Sequence, residues 1–182
     1  MKTIIEQLCN TNELVEIYTN RDDFDKFGVG YVVACTENDY LVHTFDDKDL
    51  DDGYYVMHRD SIFVIQRNTK YLKNMLQIIK PKPDKFKLPK GSGLELDLFG
   101  EVLLLCQKKR LIVVVRLECD MECYGWVTDF NDNVIEIELV DGDGMFDGTA
   151  YLRMEDVQLI GFGGQEENRR AKLVHRNCCQ VK

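Results

Sequence analysis

Residues 125–162, GWVTDFNDNVIEIELVDGDGMFDGTAYLRMEDVQLIGF, repeat the pattern of residues 30–67, GYVVACTENDYLVHTFDDKDLDDGYYVMHRDSIFVIQR, at a constant spacing of 95 residues. The matching positions are Gly30-Tyr31-Val32 with Gly125-Trp126-Val127, Asp46 with Asp141, Asp52-Gly53 with Asp147-Gly148, Asp60-Ser61-Ile62 with Glu155-Asp156-Val157, and Ile65 with Ile160. A gap-free register over more than 35 positions indicates two versions of one small domain.

The residues between the two copies indicate a linker. All three prolines of the chain, Pro81, Pro83 and Pro89, lie there, followed by Gly91-Ser92-Gly93. We therefore predict a first domain at 1–80 that ends in an amphipathic helix, a linker at 81–93, and a second domain at 94–182 with a basic C-terminal tail. Domains this small bury little surface, so we expect each copy to need a neighbour.

Short strands separated by turn residues dominate both copies. In the second copy, residues 111–117 form a continuous apolar run, and Ile135, Ile137 and Leu139 alternate with Glu136 and Glu138. The predicted strands of that copy are 111–117, 124–130, 135–139, 148–152 and 157–162, and those of the first are 14–18, 30–35, 40–45, 54–58 and 62–66. Five short strands with tight turns predict a small, strongly bent barrel.

Helices are predicted on both sides of each set of strands. Ser92 with Glu95, and Thr3 with Glu6, have the spacing of a capping box at a helix start. An apolar stripe at helical spacing predicts an amphipathic helix after the first set of strands: Tyr71, Leu72, Met75, Leu76 and Ile79.

A helix followed by five strongly bent strands resembles the Sm-like fold, and Gly125-Trp126-Val127-Thr128-Asp129-Phe130-Asn131 resembles the first Sm signature. The predicted fold class is thus mainly β with short helices, as two tandem Sm-like or SH3-like five-stranded barrels. The resemblance implies a barrel that oligomerises. It does not imply the family's uridine pocket, because Asn131, Ile135 and Ile160-Gly161 replace the RNA-contacting residues of the family.

Charge follows the repeat. The net charge is −9, yet residues 67–90 carry eight basic residues and one acid, and residues 168–182 carry five basic residues and no acid. Each copy is therefore an acidic body followed by a basic segment, which suits either a polyanion or a pairing of segments with bodies. The candidate nucleic-acid or partner-binding residues are Lys70, Lys73, Lys80, Lys82, Lys85, Lys87, Arg169 and Arg170.

Two metal sites are conceivable from the sequence, and neither is predicted. The acidic loop 46–53 departs from the EF-hand pattern, which favours a solvated hairpin. Cys119, Cys123, His175 and the adjacent cysteines 178 and 179 could supply zinc ligands, but they lack the usual two-residue spacing. We predict no metal and no other cofactor.

No pairing of residues indicates a catalytic group, and we predict no catalytic residue. The first residues lack a signal-like apolar run, no stretch is long enough to span a membrane, and the seven cysteines lack scaffold spacing. We therefore expect a cytoplasmic protein without membrane contact.

These features favour a non-catalytic binding or assembly module that contacts another protein or itself through tandem Sm-like barrels. An acidic surface suits a basic partner. The alternative is an RNA-binding regulator that uses the basic linker and tail.

Overall fold

The computed structural model describes residues 1–48, 50–79 and 97–180, and the chain divides into two compact units, residues 1–87 and 88–182. The described residues form ten β-strands and four α-helices, so the prediction of a mainly β protein with short helices is confirmed. The linker predicted at 81–93 lies outside the described residues, as do the candidate residues Lys80, Lys82, Lys85 and Lys87.

Unit 1 consists of a helix, five strands and a second helix. Its elements are α1 (Lys2–Thr11), β1 (Leu14–Tyr18), β2 (Gly28–Cys35), β3 (Asp39–Phe45), β4 (Asp51–His58), a 3₁₀ turn (Arg59–Ser61), β5 (Val64–Arg67) and α2 (Lys70–Ile78). Antiparallel pairing gives the strand order β5-β1-β2-β3-β4.

Unit 2 repeats this plan. Its elements are α3 (Leu98–Lys109), β6 (Ile112–Leu117), β7 (Glu122–Phe130), β8 (Val134–Val140), β9 (Phe146–Arg153), a 3₁₀ turn (Met154–Asp156), β10 (Val157–Phe162) and α4 (Gln165–Gln180). The strand order is β10-β6-β7-β8-β9, which corresponds position by position to the order in unit 1. Within each unit, the described strands form no pair between the fourth and fifth strands, so pairing does not close either set into a barrel.

In each unit, one glycine of the second strand lies against the backbone of the third strand. A Cβ on Gly30 would lie 2.2 Å from the carbonyl oxygen of His43, and a Cβ on Gly125 would lie 2.1 Å from that of Glu138. Real Cβ atoms do not approach a backbone this closely, so only glycine fits at either position. Both strands also carry a register shift just beyond the glycine, between Val32 and Ala34 in unit 1 and at the equivalent place in unit 2.

The turn between the third and fourth strands contains the same two hydrogen bonds in each unit. The Oδ1 of Asp46 accepts from the amides of Lys48 and Leu50 at 2.9 and 2.8 Å, and the Oδ1 of Asp141 accepts from those of Asp143 and Met145 at the same two distances. An aspartate that holds two amides of a tight loop is typical of turns. The repeat seen in the sequence is therefore a repeat of the fold, and the acidic loops are built as hairpin turns.

The sheet of unit 1 has apolar residues on both faces. One face packs against α1, and the residues buried there form one apolar cluster: Ile5, Leu8, Val15, Ile17, Val32, Tyr40, Val42 and Ile62. The other packs around α2 with Leu14, Val29, Tyr31, Phe45, Leu72 and Met75. Strand β1 is buried along its whole length because each face has its own helix.

In unit 2 the helix α3 contacts β7 and β10, and Val102, Leu103 and Cys106 are fully buried in it. Burial raises the pKa of the Cys106 thiol to about 12. Ile135 and Ile137 of β8 are fully buried while Glu136 and Glu138 are partly exposed, as the alternation in the sequence predicts. Strand β6 is buried at every position except Arg116.

Three of the helices bear on the sequence prediction at their ends. The capping box predicted at Thr3 is wrong, because α1 starts at Lys2 and Thr3 therefore lies inside the helix. The box predicted at Ser92–Glu95 lies outside the described residues, and α3 begins at Leu98, where the Asp97 carboxylate accepts from the amide of Gly100 at 2.8 Å. Most of the segment that we predicted as a basic tail is helical, because residues 165–180 form α4.

None of the four helices in the described ranges is long and apolar enough to cross a membrane.

Candidate functional site

Arg170 fastens α4 to the sheet of unit 2. Its Nη1 donates to the carbonyl oxygen of Val140 at 2.6 Å, and its Nε donates to Glu166 at 2.8 Å. The guanidinium carbon lies 4.0 Å from the centre of the Tyr124 ring, in the range of a cation–π contact. Arg169 donates to the same Glu166 carboxylate through two hydrogen bonds of 2.7 Å. The two arginines singled out as candidate binding residues thus have partners within unit 2.

The turn between β8 and β9 packs against the C-terminal half of α4. Gly144 has a φ of +74°, and a Cβ on it would lie 2.5 Å from the Cβ of Leu173. The Nδ2 of Asn177 donates to the carbonyl oxygens of Asp143 at 3.1 Å and Gly144 at 3.2 Å. These contacts set the distance between the hairpin and the helix.

An apolar cleft lies between this turn, α4 and strand β7. It has a volume of about 300 Å³ and is lined by Trp126, Gly144, Met145, Phe146, Val174, Asn177 and Cys178. The amide nitrogen of Asn177 is already hydrogen-bonded to the turn. The remaining side chains of the lining are apolar or a thiol, so the cleft suits an apolar group.

Large apolar side chains are exposed at the cleft and farther along strand β9. Met145 is 54% exposed, Phe146 is 63% exposed, and Tyr151 on the same strand as Phe146 is 70% exposed. Exposed apolar side chains are common singly, but a group of them beside an apolar cleft is typical of an interaction site.

An acidic face adjoins the cleft on the sheet. Trp126 lies opposite Glu138, and Glu138 lies opposite Thr149, so these three side chains share one face. Glu136 and Tyr151 are the next pair on that face. We call Trp126, Glu136, Glu138, Thr149 and Tyr151 the open face of unit 2.

Among the described residues, no cation forms an ion pair with the carboxylates of the open face. Glu136 and Glu138 form no ion pair with any residue that the structure describes. The nearest cation along β9, Arg153, pairs with Glu155 at 3.1 Å. The open face therefore presents two partly exposed negative charges beside an apolar cleft, and one cation, the guanidinium of Arg110, lies 6.0 Å from the centre of the Trp126 ring.

The basic residues predicted on α2 lie at the surface of unit 1. Lys70 and Lys73 are exposed, and Leu72 and Met75 occupy the buried side of the helix. The adjacent Tyr71 packs edge-on against Phe27 with ring centres 5.6 Å apart. Phe24, which is 67% exposed, packs against Phe63 at 5.7 Å, and Tyr18 contacts both Phe27 and Phe63. One partly exposed aromatic cluster therefore includes Tyr71, which follows Lys70 in the chain.

No metal site is assembled in the ranges 1–48, 50–79 and 97–180, where no group of three or more histidine, cysteine, aspartate or glutamate side chains gathers as ligands. His175 and Cys179 lie one helical turn apart with Nε2 and Sγ at 4.0 Å, and none of the seven cysteines, all of which lie in the described ranges, forms a disulfide.

Two buried polar groups in unit 1 were not anticipated from the sequence. His43 lies between the rings of Tyr54 and Phe45, at 4.5 and 5.0 Å, and its Nε2 is 3.0 Å from the Asp51 carboxylate. Asp39 is buried and lies 2.8 Å from Nδ1 of His58. The alternation along β3 places residue 43 on the face of Phe45, but nothing in the sequence indicated its pairing with Asp51.

The apolar cleft was also missed. It depends on the position of α4, and the sequence signal for that helix was interpreted as a basic tail. The one feature that could have indicated it is Gly144, a turn glycine that follows another glycine two residues earlier.

Comparison with known proteins found no protein-family model that matches the chain and no curated protein with a similar sequence.

Proposed function

We propose that this protein is a non-catalytic interaction module built on two Sm-like domains, and that the open face and cleft of unit 2 bind a protein. The observation that carries the proposal is the exposure of Met145 and Phe146, which line an apolar cleft, and of Tyr151 on the adjoining open face. Burying such side chains against a partner releases about 25 cal/mol for each Å² of apolar surface.

The proposal of Sm-like domains is supported by the plan of each unit. A helix precedes five antiparallel strands, and the second strand has a glycine that approaches the backbone of the third strand, Gly30 in unit 1 and Gly125 in unit 2. The register shift just beyond each glycine is the kind of irregularity that bends a strand. Strongly bent strands around a small core are what a barrel of this size requires.

The strand edges offer a second means of association. In the described residues, β5 of unit 1 and β9 of unit 2 each pair with a strand on one side only. An unpaired edge can accept an extended segment from a partner or from a second copy of the chain through backbone hydrogen bonds. Self-association is therefore part of the proposal.

A photo-crosslinking experiment tests the proposal. Tyr151 is replaced by p-benzoylphenylalanine, the protein is irradiated in cells of its source, and crosslinked products are identified by mass spectrometry. The matched control carries the same group at Lys108, an exposed residue at the end of α3.

We expect a discrete protein product, heterologous or a second copy, from position 151 and none from position 108. Equal labelling at both positions, or no protein product at position 151, would contradict the proposal.

RNA binding is the second candidate function, and one observation favours it. Lys70 and Lys73 are exposed, and Tyr71 between them belongs to a partly exposed aromatic cluster. Proteins that bind single-stranded nucleic acid combine cations that contact phosphates with aromatic rings that stack on bases. A shift assay with mixed short single-stranded RNA at low and moderate salt tests it. Salt-sensitive binding that is weakened by Lys70→Ala with Lys73→Ala supports it, and binding that does not respond to salt excludes phosphate contact.

A further inference from the structure

We infer that the open face of unit 2 takes a cationic peptide segment with one large apolar side chain, and that this side chain enters the cleft. The inference rests on the proposed function, because it requires the open face to be a protein-binding surface, and it adds the chemistry of the partner.

The cleft selects the apolar part of the ligand. Its volume of about 300 Å³ is at the lower end of small-ligand sites and matches a single large side chain. Trp126 and Phe146 offer aromatic surface to it, and its one amide, that of Asn177, is committed to two backbone carbonyls. A polar group placed there would exchange its hydration for a lining that is mainly apolar, so the cleft favours an apolar side chain.

The open face selects the charge of the ligand. Glu138 lies directly opposite Trp126 on the neighbouring strand, and Glu136 follows on the same face. Cross-strand neighbours have Cβ atoms roughly 5 Å apart, so a lysine or arginine next to the apolar side chain in the bound segment can reach these carboxylates. A polyanion would instead meet two unpaired negative charges, and complementary charge is what sets specificity at such a surface.

Trp126 provides a direct probe of occupancy. It is the only tryptophan of the chain and it lines the cleft, so the tryptophan emission of the whole protein reports on this site alone. The ligand is a capped peptide of six lysines with one central phenylalanine, titrated into the full chain at low and moderate salt. The comparison peptide has alanine in place of phenylalanine.

We expect a saturable change in Trp126 emission, an affinity that falls as salt rises, and an affinity about tenfold weaker for the alanine peptide, since a difference of 1.4 kcal/mol is tenfold. Equal affinities for the two peptides would overturn the assignment of the cleft.

Two pairs of variants separate the charge contribution from the cleft contribution. Glu136→Gln with Glu138→Gln weakens binding of the lysine peptide, while Asp60→Asn with Asp132→Asn changes net charge equally at exposed residues elsewhere and leaves binding unchanged. Cys178→Phe fills the cleft and reduces the affinity of the phenylalanine peptide to that of the alanine peptide. Cys179→Phe, at the neighbouring exposed residue, does not.

Circular dichroism of each variant confirms that it is folded, and a Cys178→Phe variant that does not fold is replaced by Val174→Phe. If the peptide fails to bind while position 151 still crosslinks a protein, the partner is not of this class and the proposed function stands. If both fail, both proposals are wrong. An emission change that depends on protein concentration without peptide identifies a second copy as the occupant and overturns the inference.

Discussion

The two units share one plan but differ in how far one face of their sheets is covered. In unit 1, Tyr31 and His43 lie on that face and both are buried. In unit 2, the residues 95 positions later are Trp126 and Glu138, and both are partly exposed. The same fold therefore presents a closed face in one copy and an open face in the other.

The residues that anchor the last helix of each unit differ in the same way. Leu72 and Met75 of α2 pack into the apolar cluster of unit 1. The residues 95 positions later in α4 are Glu167 and Arg170, and Arg170 reaches a backbone carbonyl and the Tyr124 ring. In unit 1, apolar residues of α2 pack onto the sheet and cover this face. In unit 2, Arg170 attaches α4 to the sheet, and the cleft lies beside the helix.

The largest effect is expected at the glycines that make the two units alike. Gly125→Ala forces a Cβ into the carbonyl of Glu138, and Gly30→Ala does the same at His43. Each should lower the free energy of unfolding by about 3 kcal/mol or more, the upper range for single substitutions. Urea unfolding measures this. Gly28→Ala, whose Cβ would meet only the Ile17 oxygen at 3.9 Å, should cost far less, and equal losses at all three positions would contradict the assigned bend.

The next effect separates the two helix anchors. Met75→Ala removes a buried side chain from the core of unit 1 and should cost about 3 kcal/mol regardless of salt. Arg170→Met removes a hydrogen-bonded cation from unit 2, and its cost should shrink as salt rises. Thermal unfolding at two salt concentrations checks both. The same salt response for the two variants would show that the anchors do not differ in kind.

A smaller effect tests the contact between the turn and α4. Gly144 and Gly148 both have positive φ, of 74° and 85°, so alanine at either costs about 1–2 kcal/mol in backbone strain. Only Gly144→Ala also meets Leu173, since nothing lies within 4 Å of a Cβ on Gly148. We expect Gly144→Ala to be the less stable of the two and to change Trp126 emission. If Gly148→Ala changes that emission equally, the turn does not shape the cleft.

The smallest effect concerns Glu166. Hydrogen bonds from Arg169 and Arg170 hold its pKa below the ordinary value of 4.5, although partial burial opposes them. Because the folded pKa is lowered, the stabilisation is present above the ordinary pKa and is lost as pH falls through the lowered one. Glu166→Gln should therefore be less stable than the wild type at pH 7 by about 1 kcal/mol at most, the value for an exposed pair, and the difference should vanish in acid. A difference that grows in acid would reverse the assigned sign.

Much of the fold follows from local patterns in the sequence. Alternation along β8 and the apolar run of β6 reflect burial directly, and the glycines at 30 and 125 mark close backbone approach. The repeat fixes the order of elements because one spacing serves every strand after the first. The first strands of the two units, β1 and β6, are 98 residues apart instead of 95, because the loop between the first and second strands is longer in unit 1. The sequence repeat does not extend to the first strand, so it did not indicate this difference.

The open face could not be predicted in the same way. Its carboxylates were visible at 136 and 138, but whether a helix covers them depends on where α4 packs, which is decided by Arg170, Gly144 and Asn177 together. The charge composition indicated a basic tail at 168–182, because a count of charges does not show that Arg169 and Arg170 both bind Glu166.

The most direct test of the central claim, that unit 2 binds through a face which unit 1 keeps closed, is an amide NMR shift map of the full chain with the lysine–phenylalanine peptide. We expect shifts at Trp126, Glu138, Tyr151 and along α4 from Val174 to Cys178, with Tyr31 and His43 of unit 1 unchanged. Shifts confined to α2 around Lys70, or spread equally over both units, would contradict it.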